Sequence, residues 1–444
     1  MSSKIEVQLT QYTPLLHFQG QQEGACLRAS EVKPALDHFI TAWLKKINKA
    51  APPQWIQSEV NGHTAYRYRM TFTANGEPEH QKSQNNKPER PYFYMYKTTN
   101  SKGKMVVRGD IHQLFFAAMG DDAFDSNGES RIKGVFYPEG MTMMILVPGD
   151  QGNKLSALLK KLIPPFFALH CFGNRSNKGF GSSGVTKMDG EDIPVMTPAQ
   201  LAEYAPNQKT LYYVSYGSTA DLTYTNYLDD VFMLSQIIKA GLNYTFVNEN
   251  SYYKGLIFKY FLDKIYKQDE EIHSEKRFIK DQMICLSGDI AQQTLFVRSL
   301  IGLPQNYDFN TYYTRPNSFN VEVSHQDIER YENPIHFKPY GSYLIIIPQI
   351  IPTEKMCGTD FILHSKETDR NKRVVEEITK TIQTPSDFNL ISFLDYCVEK
   401  YGIDRSELID HFEDRGATKS IHSSIIRVES IEKAEPKAGE QNNG

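Results

Sequence analysis

The chain has 444 residues, 40% of them hydrophobic and 23% charged, which is the balance of a globular protein with material for two or three cores. A net charge of −4 excludes a protein that coats nucleic acid in bulk and leaves room for a local basic groove. The five cysteines are scattered without a CxxC pair, which excludes a disulfide framework and a cysteine-based zinc site and points to reduced thiols in the cytoplasm. The opening MSSKIEVQLTQ has no apolar signal region, and no run reaches about 18 apolar residues, so no membrane partner is expected.

Residues 5–18 read as a strand with a turn at Thr13-Pro14. In the segment after it, Val32, Leu36, Phe39, Ile40, Trp43, Leu44 and Ile47 recur at helical spacing. Ser30 is the expected N-cap, and Pro34 is tolerable in a first turn. Residues 74–91 are polar and predict a long loop. Pro91–Thr98 and Met105–Val107 predict a hairpin, Asp110–Met119 a short helix, and residues 120–130 an acidic turn. RIKGVFY and MTMMILVP predict two more strands, and Leu155–Phe167 a helix interrupted at Pro164-Pro165. Strand, helix, strands, helix, glycine loop and strand in that order predict an α+β ferredoxin-like unit. A second unit begins near Lys209 with the strand LYYVSY. Helical patterns follow at Leu228–Ala240 and Tyr253–Tyr266, and strands at Phe319–Val323 and Tyr343–Ile347. Asp387–Tyr401 and Ser406–Phe412 read as helices, and the tail from about Ser430 lacks a core pattern.

His170–Gly184, HCFGNRSNKGFGSSG, is the stretch that carries chemistry. Gly173, Gly179, Gly181 and Gly184 let the backbone turn at positive φ and approach a ligand closely. Successive amides in such turns make anion sites, and Arg175 and Lys178 add fixed charge. Phe180 offers a flat ring for a base. No Asp or Glu falls between Asp150 and Asp189, whereas Lys154, Lys160, Lys161, Arg175, Lys178 and Lys187 do. The loop is neither a P-loop nor a dinucleotide fingerprint, because its glycine order differs from both. The plain alternative is an ordinary surface loop. Arg28 and Lys33 flank the start of the first helix, whose amides suit a phosphate.

GNRSNKGFGS resembles the G-x-x-S-R-R-G-F-G-S run of the RAMP superfamily of CRISPR-associated proteins, with Asn177-Lys178 where two arginines are usual. QYTPLLHFQ with LRASEVKPALDHFI, RSLIGLPQNY and RYENPIHFKPY resemble further segments, in the same order, of the family of first subunits of the type III-B Cmr effector complex. The first helix departs from that family, with Asp37, His38 and Phe39 in place of its Arg-Phe-Trp-Trp run. The resemblance implies an α+β chain of two RRM-like (ferredoxin-like) RAMP units with a helical C-terminal extension. The corresponding division is 1–200, 205–352, 353–429 and a disordered tail at 430–444.

The resemblance further implies a cytoplasmic, non-catalytic RNA-binding subunit of a type III CRISPR interference complex. Its partners would be guide RNA, target RNA and other RAMP subunits, with no cofactor and no metal. The RNA contacts expected are Gly173, Asn174, Arg175, Ser176, Asn177, Lys178, Gly179, Phe180, Gly181, Ser182, Arg28 and Lys33. Lys254, beside Gly255 at the start of the later helix, is a weaker helix-start phosphate contact, and Arg330, His336 and Lys338 are candidates for the same groove with structural roles as the alternative. The alternative is a guide-processing endoribonuclease with His17 or His170 as acid/base. Asp121, Asp122 and Asp125 raise a metal-assisted cut but read better as a solvated hairpin tip.

Overall fold

The computed structural model describes all residues except 1, 18–25, 80–91, 102, 104, 112–123, 150–151, 207–209, 218–221, 247–248, 266–271, 280–282, 284–292, 304–305, 311–317, 369–372, 404–424 and 430–444. The helices expected at Asp110–Met119 and Ser406–Phe412, and the tail from Ser430, fall wholly or largely outside the described residues. No described helix is long and apolar enough to cross a membrane.

In chain order, β1 (Ser3–Gln11) and β2 (Leu15–His17) flank the Thr13-Pro14 corner, and α1 (Ala29–Lys46) follows. Then come β3 (Ile56–Val60), β4 (His63–Tyr66), β5 (Arg69–Ala74), β6 (Phe93–Thr99), β7 (Met105–Gly109), β8 (Glu129–Val135) and β9 (Met141–Val147). α2 (Gly152–Leu169) leads into the glycine loop, β10 (Ser183–Met188), β11 (Glu191–Asp192), α3 (Pro198–Ala202) and β12 (Thr210–Ser215). α4 (Tyr224–Ser235), β13 (Leu242–Phe246), β14 (Glu249–Tyr253), α5 (Leu256–Tyr260), β15 (Ile272–Ser274) and α6 (Glu275–Ile279) succeed them. The remainder is β16 (Gln293–Leu295), β17 (Asn306–Asn310), β18 (Ser318–Ser324), β19 (Ile335–Tyr340), β20 (Tyr343–Pro348), α7 (Thr353–Met356), β21 (Asp360–Thr368), β22 (Val374–Gln383), α8 (Leu390–Ile403) and β23 (Ile425–Glu429).

Packing divides the chain into two units. One holds Met1–Leu228, Phe337–Ile347 and Ile426–Gly444, the other Asp229–His336 and Pro348–Ile425. The chain therefore leaves the first unit and returns to it, so linear cuts near 200 and 352 do not describe its packing.

In the first unit, β1 alternates inward Ile5, Val7 and Leu9 with outward polar residues, the pattern of a strand with one buried face. It sits in a sheet of order β11-β10-β1-β9-β5, and its two partners, β9 and β10, both run antiparallel to it. Traced through β1, α1, β5, β9, α2 and β10, the sequence is β-α-β-β-α-β, the split β-α-β arrangement. Val32, Leu36 and Ile40 of α1 and Leu159, Ile163 and Phe166 of α2 share one core with the sheet's inner face.

Two helix expectations are corrected. α1 is preceded by Arg28 in extended backbone, so Ser30 lies inside the helix and Pro34 in its second turn. α2 runs unbroken through Pro164 and Pro165. Leu162, Ile163, Phe166 and Phe167 are fully buried around those prolines, and that packing outweighs the backbone bonds that proline removes.

A second sheet, β2-β8-β6-β7, lies on its own small core of Leu16, Phe93, Met95, Ile132, Phe180 and Leu228. A third, β19-β20-β12-β23, packs with α3 on Leu211, Tyr340, Ile345 and Leu201. The second unit is built on a six-stranded sheet, β15-β16-β22-β21-β18-β17. The extension expected to be helical thus begins with two long strands, β21 and β22, before α8. Within that unit, Tyr260, Phe388, Phe393 and Tyr396 make edge-on ring contacts between α5 and the α8 region.

One buried side chain ties the first two sheets together. The amide of Gln11 donates to the Thr13 and Val135 carbonyls at 3.0 and 2.9 Å, and its oxygen accepts from the Tyr137 amide at 2.8 Å. Gln11→Leu keeps the volume but leaves these buried backbone groups unanswered, at a cost of about 2–4 kcal/mol. A denaturant titration should show that loss, and an unchanged midpoint would remove Gln11 from this role.

Candidate nucleic-acid loop

The loop is held at both ends and along its length. Thr13 and Pro14 divert the chain from the first sheet into β2, and the glycine loop binds to that corner. Gly181 N–H donates to the Pro14 carbonyl at 2.8 Å and Asn174 N–H to the Leu16 carbonyl at 2.8 Å. Thr13 Oγ1 donates to the Gly179 carbonyl at 2.5 Å and accepts from Ser182 N–H at 3.0 Å. Phe172 N–H closes the loop onto the Gly181 carbonyl at 3.1 Å. On the other side, Phe337 N–H donates to the Asn177 carbonyl at 3.0 Å, and Ser182 Oγ donates to the Pro339 carbonyl at 2.5 Å. Between them, buried Lys338 reaches the His170 and Ser183 carbonyls, each at 2.8 Å. Burial pushes the Lys338 amine down to about 8.

These bonds revise the roles expected of the loop residues. Gly173 N–H meets the Glu31 carboxylate at 2.5 Å, so a carboxylate of the first turn of α1 already fills that amide. Lys178 and Gly179 N–H are engaged by the Arg175 and Ser176 carbonyls. With Phe172, Asn174, Gly181 and Ser182, most of the amides expected to cradle an anion instead hold the loop's shape. Phe180 is 1% exposed within the core under the second sheet, so it is an anchor and not a base-stacking ring. Ser182 is fully buried and likewise structural. Gly181, at φ +67°, would place a Cβ 1.9 Å from the Phe172 carbonyl oxygen. Its glycine is therefore required by the protein's own backbone and not by clearance for RNA.

Arg175 and Lys178 remain as the loop's charged face. Arg175 takes a left-handed backbone at φ +57°, unusual outside glycine, and turns the loop between Asn174 and Ser176. Both side chains are half-buried. Burial lowers the Arg175 guanidinium to about 10. Burial and then the neighbouring Arg175 charge lower the Lys178 amine to about 8. For Lys178 the neighbouring Arg175 charge adds to the cost of burial, and a nearby anion favours the charged amine. Asn174, Ser176 and Asn177 are half-buried beside them.

The wider basic window is largely answered within the fold. Lys160 pairs with Asp189 at 2.7 Å and Lys187 with Asp192 at 3.2 Å, and the Lys161 amine lies 5.0 Å from the Trp43 ring centre. Lys33 is committed as well. Its amine is 2.6 Å from Asp37, donates to the Tyr66 carbonyl at 3.1 Å and lies 4.4 Å from the Tyr68 ring centre. Arg28 stands half-buried at the N-cap of α1. Lys338 is 1% exposed and cannot line a groove.

Arg330 and His336 belong to the second unit. Arg330 lines a cavity of about 410 Å³ with Asp327, Tyr331 and Lys355. His336 is pushed down to about 4 by burial. Lys254 precedes α5, whose helical stretch continues in π-helical form through Ile265. His170 Nδ1 is 2.9 Å from the Phe166 carbonyl, and its ring packs on Phe39 and Phe166. The His17 side chain, Asp121 and Asp122 lie outside the described residues. Asp125 Oδ1 accepts from Asn127 and Glu129 N–H, each at 2.9 Å, as at a hairpin tip. Glu31, which sequence reading passed over, was marked only by its place in the first turn of a helix.

An α+β protein with a split β-α-β sheet and a cationic glycine loop pinned to its first corner is the class these features define. The Cmr1 N-terminal domain family model matches residues 2–242 and the Cmr1 C-terminal domain model residues 252–415, so the chain belongs to the Cmr1 family. No curated protein matches the chain. Among solved structures, similarity extends to an apo crystal structure of Cmr1 from Pyrococcus furiosus, at 13% identity over 78% of this chain and 88% of that one, with a TM-score of 0.30. A chain of the cryo-EM structure of type III-B Cmr-beta bound to cognate target RNA and AMPPnP, state 2, in the presence of ssDNA, is 10% identical over 82% of this chain and 95% of that one, with a TM-score of 0.36. A chain of Cmr-beta bound to cognate target RNA is 11% identical over 43% of this chain, at a TM-score of 0.25, and this chain spans 61% of its length.

Because Gly181 answers to Phe172, Gly181→Ala should lower stability by at least about 2 kcal/mol. A thermal melt equal to that of the wild type would show that the corner can relax around a side chain.

Proposed function

We propose that this protein is a non-catalytic RNA-binding subunit of a cytoplasmic type III CRISPR interference complex. It contacts guide RNA and target RNA beside other RAMP subunits, and Arg175 and Lys178 are its phosphate contacts on the glycine loop. Family membership across both halves supports the assembly, as do the relatives seen in Cmr complexes bound to target RNA. The observation that carries the site is the pair of half-buried cations, lowered to about 10 and about 8, on a loop whose backbone is fixed by the fold. A phosphate placed there accepts charge-assisted hydrogen bonds from groups already desolvated and oriented. Sequence specificity then belongs to base pairing with the guide, as in other RNA-guided systems.

Labelled guide RNA titrated at several salt concentrations should bind with a steep salt dependence. Arg175→Ala with Lys178→Ala, shown by thermal melt to be folded, should weaken binding and lower the slope by roughly one unit for each phosphate the variant no longer holds. Wild-type binding by that folded variant would leave the loop as a connection only. Repeat RNA and target RNA should stay intact on incubation with the protein, with and without divalent metal. Cleavage that disappears in His17→Ala or His170→Ala would establish the endoribonuclease alternative.

The Lys178 amine also sets a pH dependence. Lowered to about 8 in the free protein, it is mostly charged at pH 7 and mostly neutral at pH 9. A bound phosphate favours the charged form, so binding takes up a proton and affinity should fall as pH rises from 7 to 9, by about tenfold at most per pH unit. Lys178→Arg, which stays charged, should flatten that profile, and an equally steep profile in the variant would assign the proton to another group.

A further inference from the structure

The second sheet of the first unit has an inner face and an outer face of opposite character. Phe93, Met95, Ile132 and Leu16 point into the small core. On the other face of β6, Tyr94 and Tyr96 form a ladder with Tyr92 just before the strand, successive ring centres being 5.9 and 5.8 Å apart. β8 sets cations along this ladder. Lys133 pairs with Tyr94 in register and lies 4.2 Å from the Tyr92 ring centre, and exposed Arg131 falls two residues before it on the same strand. From β7, exposed Arg108 stands directly opposite Tyr96. Two carboxylates border the ladder. Glu129 accepts from the Tyr94 hydroxyl at 2.9 Å, and Asp110 accepts from Tyr94 N–H at 3.0 Å. Tyr94 is 3% exposed and braces its neighbours, whereas Tyr92 and Tyr96 are half-buried, with surface left to offer.

We propose that this face is a second RNA site, a platform on which unpaired bases stack against Tyr92 and Tyr96 while Arg108, Arg131 and Lys133 hold the adjoining phosphates. The proposal rests on the RNA-binding reading above and extends it from phosphate contacts to single-stranded bases. Aromatic rings at every second position of a strand, interleaved with cations from both neighbouring strands, match the alternation of base and phosphate along an unpaired chain. A structural role for the tyrosines accounts for Tyr94 but not for cations delivered to the same face from both sides. Position also favours it. The glycine loop's Phe180 sits in the core beneath this sheet, and Asn174 N–H is bonded to Leu16 of β2, the sheet's edge strand. The cationic loop and the tyrosine face are therefore two surfaces braced by one core.

The test compares the full-length protein's affinity for a single-stranded RNA oligonucleotide with that for the same backbone lacking several bases. Wild type should prefer the base-bearing RNA by about tenfold. Tyr92→Leu with Tyr96→Leu should erase that preference, and Tyr92→Phe with Tyr96→Phe should retain it. Arg131→Gln with Lys133→Gln should lower the salt slope while keeping the preference. Arg175→Ala with Lys178→Ala should weaken both RNAs alike and leave their ratio intact. If the folded leucine variant still discriminates as wild type does, or if wild type binds both RNAs equally, the platform is overturned and the face is left to another protein subunit. Either of those results with the Arg175/Lys178 effect intact overturns the platform alone, whereas loss of the Arg175/Lys178 effect as well removes the loop reading too. Thermal melts confirm folding first, and the phenylalanine pair provides a ring-retaining control.

Discussion

A buried corner that must satisfy its own polar groups governs this molecule. At Tyr12–Pro14, between β1 and β2, the chain leaves one sheet for another, and there the backbone lies outside both strands. A buried carbonyl or amide without a partner costs on the order of 1–3 kcal/mol, so the corner must recruit partners from elsewhere in the sequence. Gln11 supplies three bonds from its side chain, and Thr13 Oγ1 supplies two. The glycine loop supplies the amides of Gly181 and Asn174 for the carbonyls of Pro14 and Leu16. The loop's conformation is thus a consequence of the corner's needs, which is why its glycines face protein.

That arrangement separates two tasks carried by one stretch of sequence. Backbone and small residues build the scaffold, with Lys338 binding both flanks from a strand more than 150 positions later. Arg175 and Lys178 are left as the charged face, and the fold places them where water cannot fully screen either one. Holding charge in this way is costly in the free protein, and under the proposed function a phosphate offsets that cost. The same core that anchors Phe180 supports the second sheet from its inner face.

The elements were legible where the pattern was local. Alternation marked β1, period 3.6 marked α1, and apolar or aromatic runs marked β6, β8, β9 and β20. Local rules failed where packing outweighed propensity. α2 continues through Pro164-Pro165 because the side chains around them are fully buried, and α1 begins a residue before Ser30. The C-terminal region read as helical because α8 is the strongest pattern there, yet the alternation of Asp360–Thr368 belongs to a strand with Phe361 and Leu363 turned inward.

By itself the sequence determined that a glycine-rich, locally basic loop exists, that it lies between a helix and a strand, and that its residues resemble those of one family. Composition and order along the chain are properties of neighbours, and they survive without a fold. The tertiary structure alone decided which of those residues face solvent and which face protein. Phe180 and Gly181 look like ligand contacts in one dimension and are core and corner in three, because Leu16 and Pro14 reach them from a distant segment and Phe172 from the loop's own folded start. Six lysines and arginines look like one basic field, yet Lys160 and Lys187 are answered by Asp189 and Asp192 just outside that window. Burial and pairing are set by distance in space, and spacing along the chain does not encode that distance.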